Sequence, residues 1–149
     1  MITDQFVTYE VAKLAKEKGF DGECRDFYCN DKLQKRISVT SCNRQVTSFD
    51  YCSNAMLEDY DSPKEYCHYA APTQSLLQRW LREEKWLHIN VDYNHSNKRW
   101  TPTIIRMCCV PTRDTHRRLD LPSSSSYEVA LEKALIYALN MLPSRETSK

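Results

Sequence analysis

The sequence predicts an α+β fold in which about three helices pack on an antiparallel sheet of about four strands. Two observations indicate this class. Three segments have the apolar spacing of amphipathic helices, and between them lie two pairs of short β-type runs joined by polar turns. The order along the chain is helix, hairpin, long connection, helix, hairpin, helix. We therefore expect two helix–hairpin units followed by a C-terminal helix.

The first helix is predicted at residues 8–18, with Thr8 as its N-cap and an apolar stripe along one side. Gly19 ends this helix, because a glycine followed by an apolar residue is what a Schellman C-cap requires. Residues 23–29 and 33–39 are predicted to form the first hairpin, since turn-forming residues separate two β-type runs. The stripe consists of Val11, Ala12, Leu14 and Ala15.

The second helix begins after Thr73, which can cap it, and extends to about Lys85. Residues 87–93 then alternate between apolar and polar side chains, the pattern of a half-buried strand. Residues 99–110 are predicted to be its partner strand. Pro102 favours an edge position or a bulge there, because proline lacks the N–H that a central strand needs.

The last helix is predicted to reach Leu142, where Pro143 ends it. Ser125 to Glu128 has the spacing of a capping box, with the serine hydroxyl and the glutamate carboxylate satisfying backbone N–H groups. The apolar face of this helix consists of Leu131, Ala134, Leu135, Ala138, Leu139 and Leu142.

The length of 149 residues fits one domain, which we place at residues 1–143. Residues 40–71 lack a clear period and contain several cysteines, so we expect an irregular cysteine-rich insertion. Residues 144–149 are polar and follow the last helix, so we expect a frayed C-terminal tail.

The composition excludes several enzyme classes. The chain has only Gly19 and Gly22, whereas about 7% glycine is usual. A P-loop, a dinucleotide-binding fingerprint and a nucleophile elbow each need several glycines, so none of them can be present. No family signature of a nucleophile surrounds any cysteine. The glycines formally match the GxxG of a KH clamp, but a helix cap explains them better. We therefore expect no catalytic residues and no enzymatic activity.

The start of the chain lacks the basic and apolar regions of a secretory signal, and no apolar stretch approaches the roughly 18 residues that cross a bilayer. We therefore expect a cytoplasmic protein without a membrane partner. In that compartment the seven cysteines are expected to be reduced thiols rather than a disulfide framework.

The cysteine-rich middle of the chain offers a second function, zinc binding. Zinc sites usually contain ligand pairs two to four residues apart, and the chain has no C-x-x-C, so buried thiols are the competing interpretation. Apart from zinc we expect no cofactor. The four residues that could hold zinc are Cys42, Cys52, Cys67 and His68.

A basic segment near residue 115 offers a third function, nucleic-acid binding. The net charge of +1 gives no long-range attraction to nucleic acid, so a local patch would have to supply it. The segment has few acidic neighbours apart from Asp114 and Asp120. Its candidate contacts are Arg113, His116, Arg117 and Arg118.

Six short segments resemble a family of small uncharacterised proteins encoded by gut bacteria, their phages and mobile elements. The resemblance covers the first helix, the second helix with its strand, and the last helix. It implies a cytoplasmic accessory protein, carried by a phage or mobile element, and it transfers no site residue. The segments are FVTYEVA at 6–12, KGFD at 18–21, AAPTQ at 70–74, WLRE at 80–83, LHI at 87–89 and YEVALEKAL at 127–135.

The predicted function is therefore that of a non-enzymatic accessory or interaction domain with a partner protein. The predicted elements account for most of the strongly patterned residues and leave no convergent set of catalytic types. Zinc binding and nucleic-acid binding stay open as alternatives.

Overall fold

The computed structural model describes residues 4–35, 51–58, 67–107 and 118–145. The predicted α+β class is confirmed, and the strands of these ranges form two antiparallel sheets of three strands each. The helices are α1 (Tyr9–Glu17), α2 (Asn54–Glu58), α3 (Gln74–Glu84) and α4 (Tyr127–Asn140). The strands are β1 (Asp26–Cys29), β2 (Lys32–Lys35), β3 (His68–Ala71), β4 (Leu87–Asn94), β5 (Arg99–Arg106) and β6 (Arg118–Asp120).

The chain divides into two compact units. The N-terminal unit comprises residues 6–72 and 144–149, and the C-terminal unit comprises residues 1–5 and 73–143. Each unit contains one predicted helix–hairpin pair, α1 with β1 and β2 in the first and α3 with β4 and β5 in the second. The organisation as one domain stays a prediction.

The sheet of the N-terminal unit has the order β2-β1-β3. The predicted hairpin forms β1 and β2, and Asn30 takes a positive φ of 54° in its turn, as tight hairpin turns require. Strand β3 was not predicted from the sequence. It pairs with β1 through registers such as Phe27 opposite Ala70, so part of the expected insertion belongs to the sheet.

Helix α1 packs its apolar stripe into the core of this unit, with Val11, Ala12 and Ala15 fully buried. Thr8 is the N-cap residue, as predicted. Tyr28 from β1 reaches the same core, and its hydroxyl donates to the Val7 carbonyl at 2.6 Å. Among the described residues of this unit, the other buried apolar side chains are Val7, Phe20, Cys24, Cys52, Leu57, Ala70, Ala71 and Pro72.

Gly19 forms the cap that ends α1, and Gly22 lies beside the residue that completes it. Gly19 has φ +90°, and its N–H donates to the Lys16 carbonyl at 3.0 Å while the Phe20 N–H donates to the Ala15 carbonyl at 2.9 Å. This pair of hydrogen bonds is the Schellman motif. A Cβ on Gly22 would lie 2.7 Å from Cζ of the Phe20 ring, so Gly22 leaves room for that buried ring.

The sheet of the C-terminal unit has the order β4-β5-β6, with β4 and β5 joined by the predicted hairpin. The expected edge position of Pro102 is wrong, because β5 is the central strand and Pro102 pairs in register with Val91. On the β6 side the register shifts by one residue between the Thr103–Asp120 and Trp100–Ser124 pairs, as at a bulge. Trp100 exchanges backbone hydrogen bonds with Ser124, and the Pro102 carbonyl accepts from Leu121. Residues two apart on a strand direct their backbone groups to the same side. The Pro102 nitrogen therefore faces the segment that follows β6, where the hydrogen-bond ladder between β5 and β6 is interrupted.

Two helices cover the apolar face of this sheet, which contains Leu87, Ile89 and Ile104. Helix α3 begins at the predicted cap, since the Thr73 hydroxyl accepts from the Leu76 N–H at 3.2 Å. Helix α4 is capped by Ser126, which accepts from Val129 N–H at 3.2 Å. The cap is thus one residue later than the predicted capping box. None of the helices in the described ranges is both long and apolar enough to cross a membrane.

Candidate functional site

Helix α4 is apolar on more than its buried side. Its polar residues are Glu128, Glu132, Lys133 and Asn140, and the buried positions form one stripe. Away from that stripe, Val129 is 46% exposed, Ile136 37% and Tyr137 46%. We call these three residues the α4 outer face. A helix that is apolar on most sides is usually covered on most sides, so this face is a candidate interaction surface.

A cavity of about 340 Å³ lies between β5, β6 and the C-terminal end of α4. Ile104, which is 1% exposed, contributes the most buried part of its lining. Tyr137 belongs both to this lining and to the α4 outer face. The lining residues are Ile104, Arg106, Arg118, Leu119, Tyr137 and Met141.

The two arginines of the cavity differ in their surroundings. Arg118 Nε donates to Asp120 Oδ1 at 3.0 Å, and the Thr103 hydroxyl donates to the same oxygen at 3.0 Å. These bonds lower the pKa of the Asp120 carboxyl, chiefly through Arg118. Within the part of the chain that the structure describes, the Arg106 guanidinium makes no ion pair or hydrogen bond. Among the described residues that line the cavity, Arg106 is therefore the charged side chain without an ionic partner.

Four aromatic rings form a row beside the β4–β5 hairpin. Trp100 lies between Tyr93, at a centroid distance of 4.9 Å, and Tyr127, at 5.4 Å. His95 contacts Tyr93 at 5.0 Å. Arg99 donates from Nε and Nη2 to Ser123. The rings of this row pack edgewise or tilted on one another, which accounts for them structurally.

The residues predicted to hold zinc lie in the N-terminal unit, except that Cys42 is outside the described residues. Cys67 is exposed, and the His68 ring contacts Phe27 at 5.6 Å. Cys52 is 1% exposed and pairs with another cysteine, Cys24. No group of three or more His, Cys, Asp or Glu residues suited to a metal forms within the described ranges. Zinc binding stays a prediction.

Cys24 and Cys52 face each other in an antiparallel bridge, with N–H to carbonyl distances of 2.8 and 2.7 Å. Burial raises the pKa of the Cys24 thiol to about 12, with further contributions from Cys52 and Asp26. Burial and the neighbouring Asp26 raise the pKa of the Cys52 thiol to about 11. Burial therefore favours the protonated, less nucleophilic form of both thiols at neutral pH.

Of the residues predicted to contact nucleic acid, Arg118 is described and Arg113, His116 and Arg117 are outside the described residues. Arg118 is exposed at the start of β6 and is paired with Asp120, so part of its charge is neutralised within the protein. Nucleic-acid binding also stays a prediction.

The sequence analysis did not single out Arg106 or the α4 outer face. The sequence did contain a signal for the outer face. Val129, Ile136 and Tyr137 are apolar, but their positions do not fit the helical spacing of the buried stripe. No local signal marked Arg106, since its importance depends on strands and a helix that meet only in the folded unit.

Comparison of the chain with protein-family models, with characterised proteins and with solved structures gives no match.

Proposed function

We propose that this protein is a non-enzymatic interaction module that binds a partner protein through the α4 outer face. The exposure of Val129, Ile136 and Tyr137 on a helix whose other side is buried supports this proposal. Exposed apolar side chains on one side of a helix are a common feature of interaction sites, and here the polar Lys133 lies between Val129 and Ile136. The resemblance to small proteins of gut bacteria and phages adds a cytoplasmic accessory role to the proposal.

The size of the face favours a transient contact over a stable, permanent interface. A large aromatic side chain buries about 150–250 Å², and the three side chains of the face expose less than half of their surface. Together they present far less than the roughly 800 Å² per partner that a stable dimer buries. A limited apolar face of this kind suits a transient contact.

Site-specific photo-crosslinking tests the proposal. We expect p-benzoylphenylalanine at position 136, introduced in the cells that encode the protein, to crosslink to one discrete partner. The matched control is the same group at Glu84, an exposed position of α3 in the same unit. Adding Val129→Lys to the first protein should abolish its crosslink, because a charge would then lie in the apolar contact.

Val129 is exposed, so its replacement should leave the thermal unfolding midpoint of the protein almost unchanged. Equal crosslinking from positions 136 and 84 would contradict the proposal. A crosslink only between two copies of the chain would also overturn it, since the occupant would then be the protein itself.

A further inference from the structure

We propose that the cavity between β5, β6 and the end of α4 binds a small carboxylate that carries an apolar chain. This inference goes beyond the protein contact described above, because it concerns a concave site and a small ligand. It rests on an apolar lining, an arginine without an ionic partner among the described residues, and the volume of the cavity.

The apolar part of the lining fits an aliphatic or aromatic group. Ile104 belongs to the core-facing side of the central strand, and Leu119 lies opposite it in the register of β5 and β6. Met141 follows the last turn of α4 and closes the same space. A methionine side chain adapts to differently shaped apolar ligands because it is flexible and polarisable.

The charge of the cavity favours an anion. Arg106 is two residues from Ile104 on β5 and lies on the same side of the sheet, where it lines the cavity but remains exposed to solvent. Its guanidinium has no ionic partner among the described residues, whereas the neighbouring Arg118 is bound to Asp120. A guanidinium binds a carboxylate through two parallel hydrogen bonds. The Tyr137 hydroxyl of the lining is a further donor.

The volume limits the size of the ligand. At about 340 Å³ the cavity is at the lower end of the roughly 300–1,000 Å³ that ligand pockets occupy. A short chain with one charged end therefore fits better than a large cofactor. Octanoate is a suitable probe, and octan-1-ol and octylamine are its neutral and cationic counterparts.

Methionine-methyl NMR provides the test. We expect octanoate to shift the Met141 methyl signal, while Met56, which lies in the N-terminal unit, keeps its position. Octanoate should bind at least about tenfold more tightly than octan-1-ol, because a hydrogen bond to a charged group is stronger than one between neutral groups. Octylamine should bind more weakly than both.

The variant Arg106→Gln should lower the affinity for octanoate to that for octan-1-ol. Arg99→Gln is the matched control, because Arg99 lies on the same strand but is bound to Ser123 away from the cavity. It should leave octanoate binding unchanged. The variant Val129→Lys should also bind octanoate normally, so that a failure of the partner-binding proposal can be distinguished from a failure of this one.

Two results would overturn the inference. One is equal binding of the three probes, or no shift of the Met141 signal by any of them. The other is an Arg106→Gln variant that keeps its preference for octanoate over octan-1-ol, whatever its unfolding temperature.

Discussion

Asn54 connects three segments of the N-terminal unit through one buried side chain. It is 4% exposed, its amide nitrogen donates to the Phe20 carbonyl at 2.7 Å, and its amide oxygen accepts from the Ala70 N–H at 2.9 Å. The cap after α1, the start of α2 and strand β3 are thereby tied together. Buried backbone groups need such partners, since water cannot replace them.

We predict that Asn54→Ala lowers the free energy of unfolding by about 2 kcal/mol or more, because two buried backbone groups lose a partner. Chemical denaturation measures this difference. The control is Asp21→Ala, which removes an exposed acceptor of the Ala55 N–H and should cost less than about 1 kcal/mol. Equal losses of unfolding free energy in the two variants would show that the two buried hydrogen bonds of Asn54 stabilise the protein no more than the exposed hydrogen bond of Asp21.

The helices and hairpins depend on signals at their own ends. Gly19 ends α1, Thr73 and Ser126 cap α3 and α4, and Asn30 turns the first hairpin. Asn30 also exchanges hydrogen bonds with the distant Cys67, but Gly19, Thr73 and Ser126 act on neighbours only a few positions away. For this reason the ends of these helices and of the first hairpin were predicted within a few residues of their observed positions.

We predict that Gly19→Ala lowers the free energy of unfolding by about 1 kcal/mol, because a Cβ is strained at φ +90°. No atom lies within 4 Å of the added Cβ, so the cost is conformational and not a clash. In a thermal melt this corresponds to a decrease of about 2–4 °C. Gly19→Asn should lose less, since asparagine tolerates left-handed backbone better than alanine. An identical melt for Gly19→Ala and the parent would show that this cap does not stabilise the protein.

The charge of the whole molecule is nearly balanced, at +1, so pH changes act through particular groups rather than through general repulsion. Two of these groups are the buried thiols of Cys24 and Cys52. Their pKa values, about 12 and about 11, lie above the ordinary value of 9.0. The folded protein therefore keeps these protons at a pH where the unfolded chain loses them.

We predict that the free energy of unfolding falls as the pH rises above about 9, because the unfolded state then binds fewer protons than the folded state. Urea denaturation at about pH 8 and about pH 10 measures the decrease. The double variant Cys24→Ala with Cys52→Ala should show a smaller decrease over the same interval. Cys29→Ala, at a half-buried position of β1, should keep the decrease of the parent protein. A double variant as sensitive to alkali as the parent would contradict this account.

The sequence alone determined the α+β class, the two helix–hairpin units and the C-terminal helix, because periodicity, caps and turns are local properties. Strand β3 has four residues and β6 has three, and both were missed because they exist only through pairing with distant strands. The central position of Pro102 was missed for the same reason. The cavity beside Arg106 and the α4 outer face were likewise decided by tertiary structure. Which side of a helix or strand remains uncovered depends on the elements packed against it, and no local pattern records that packing.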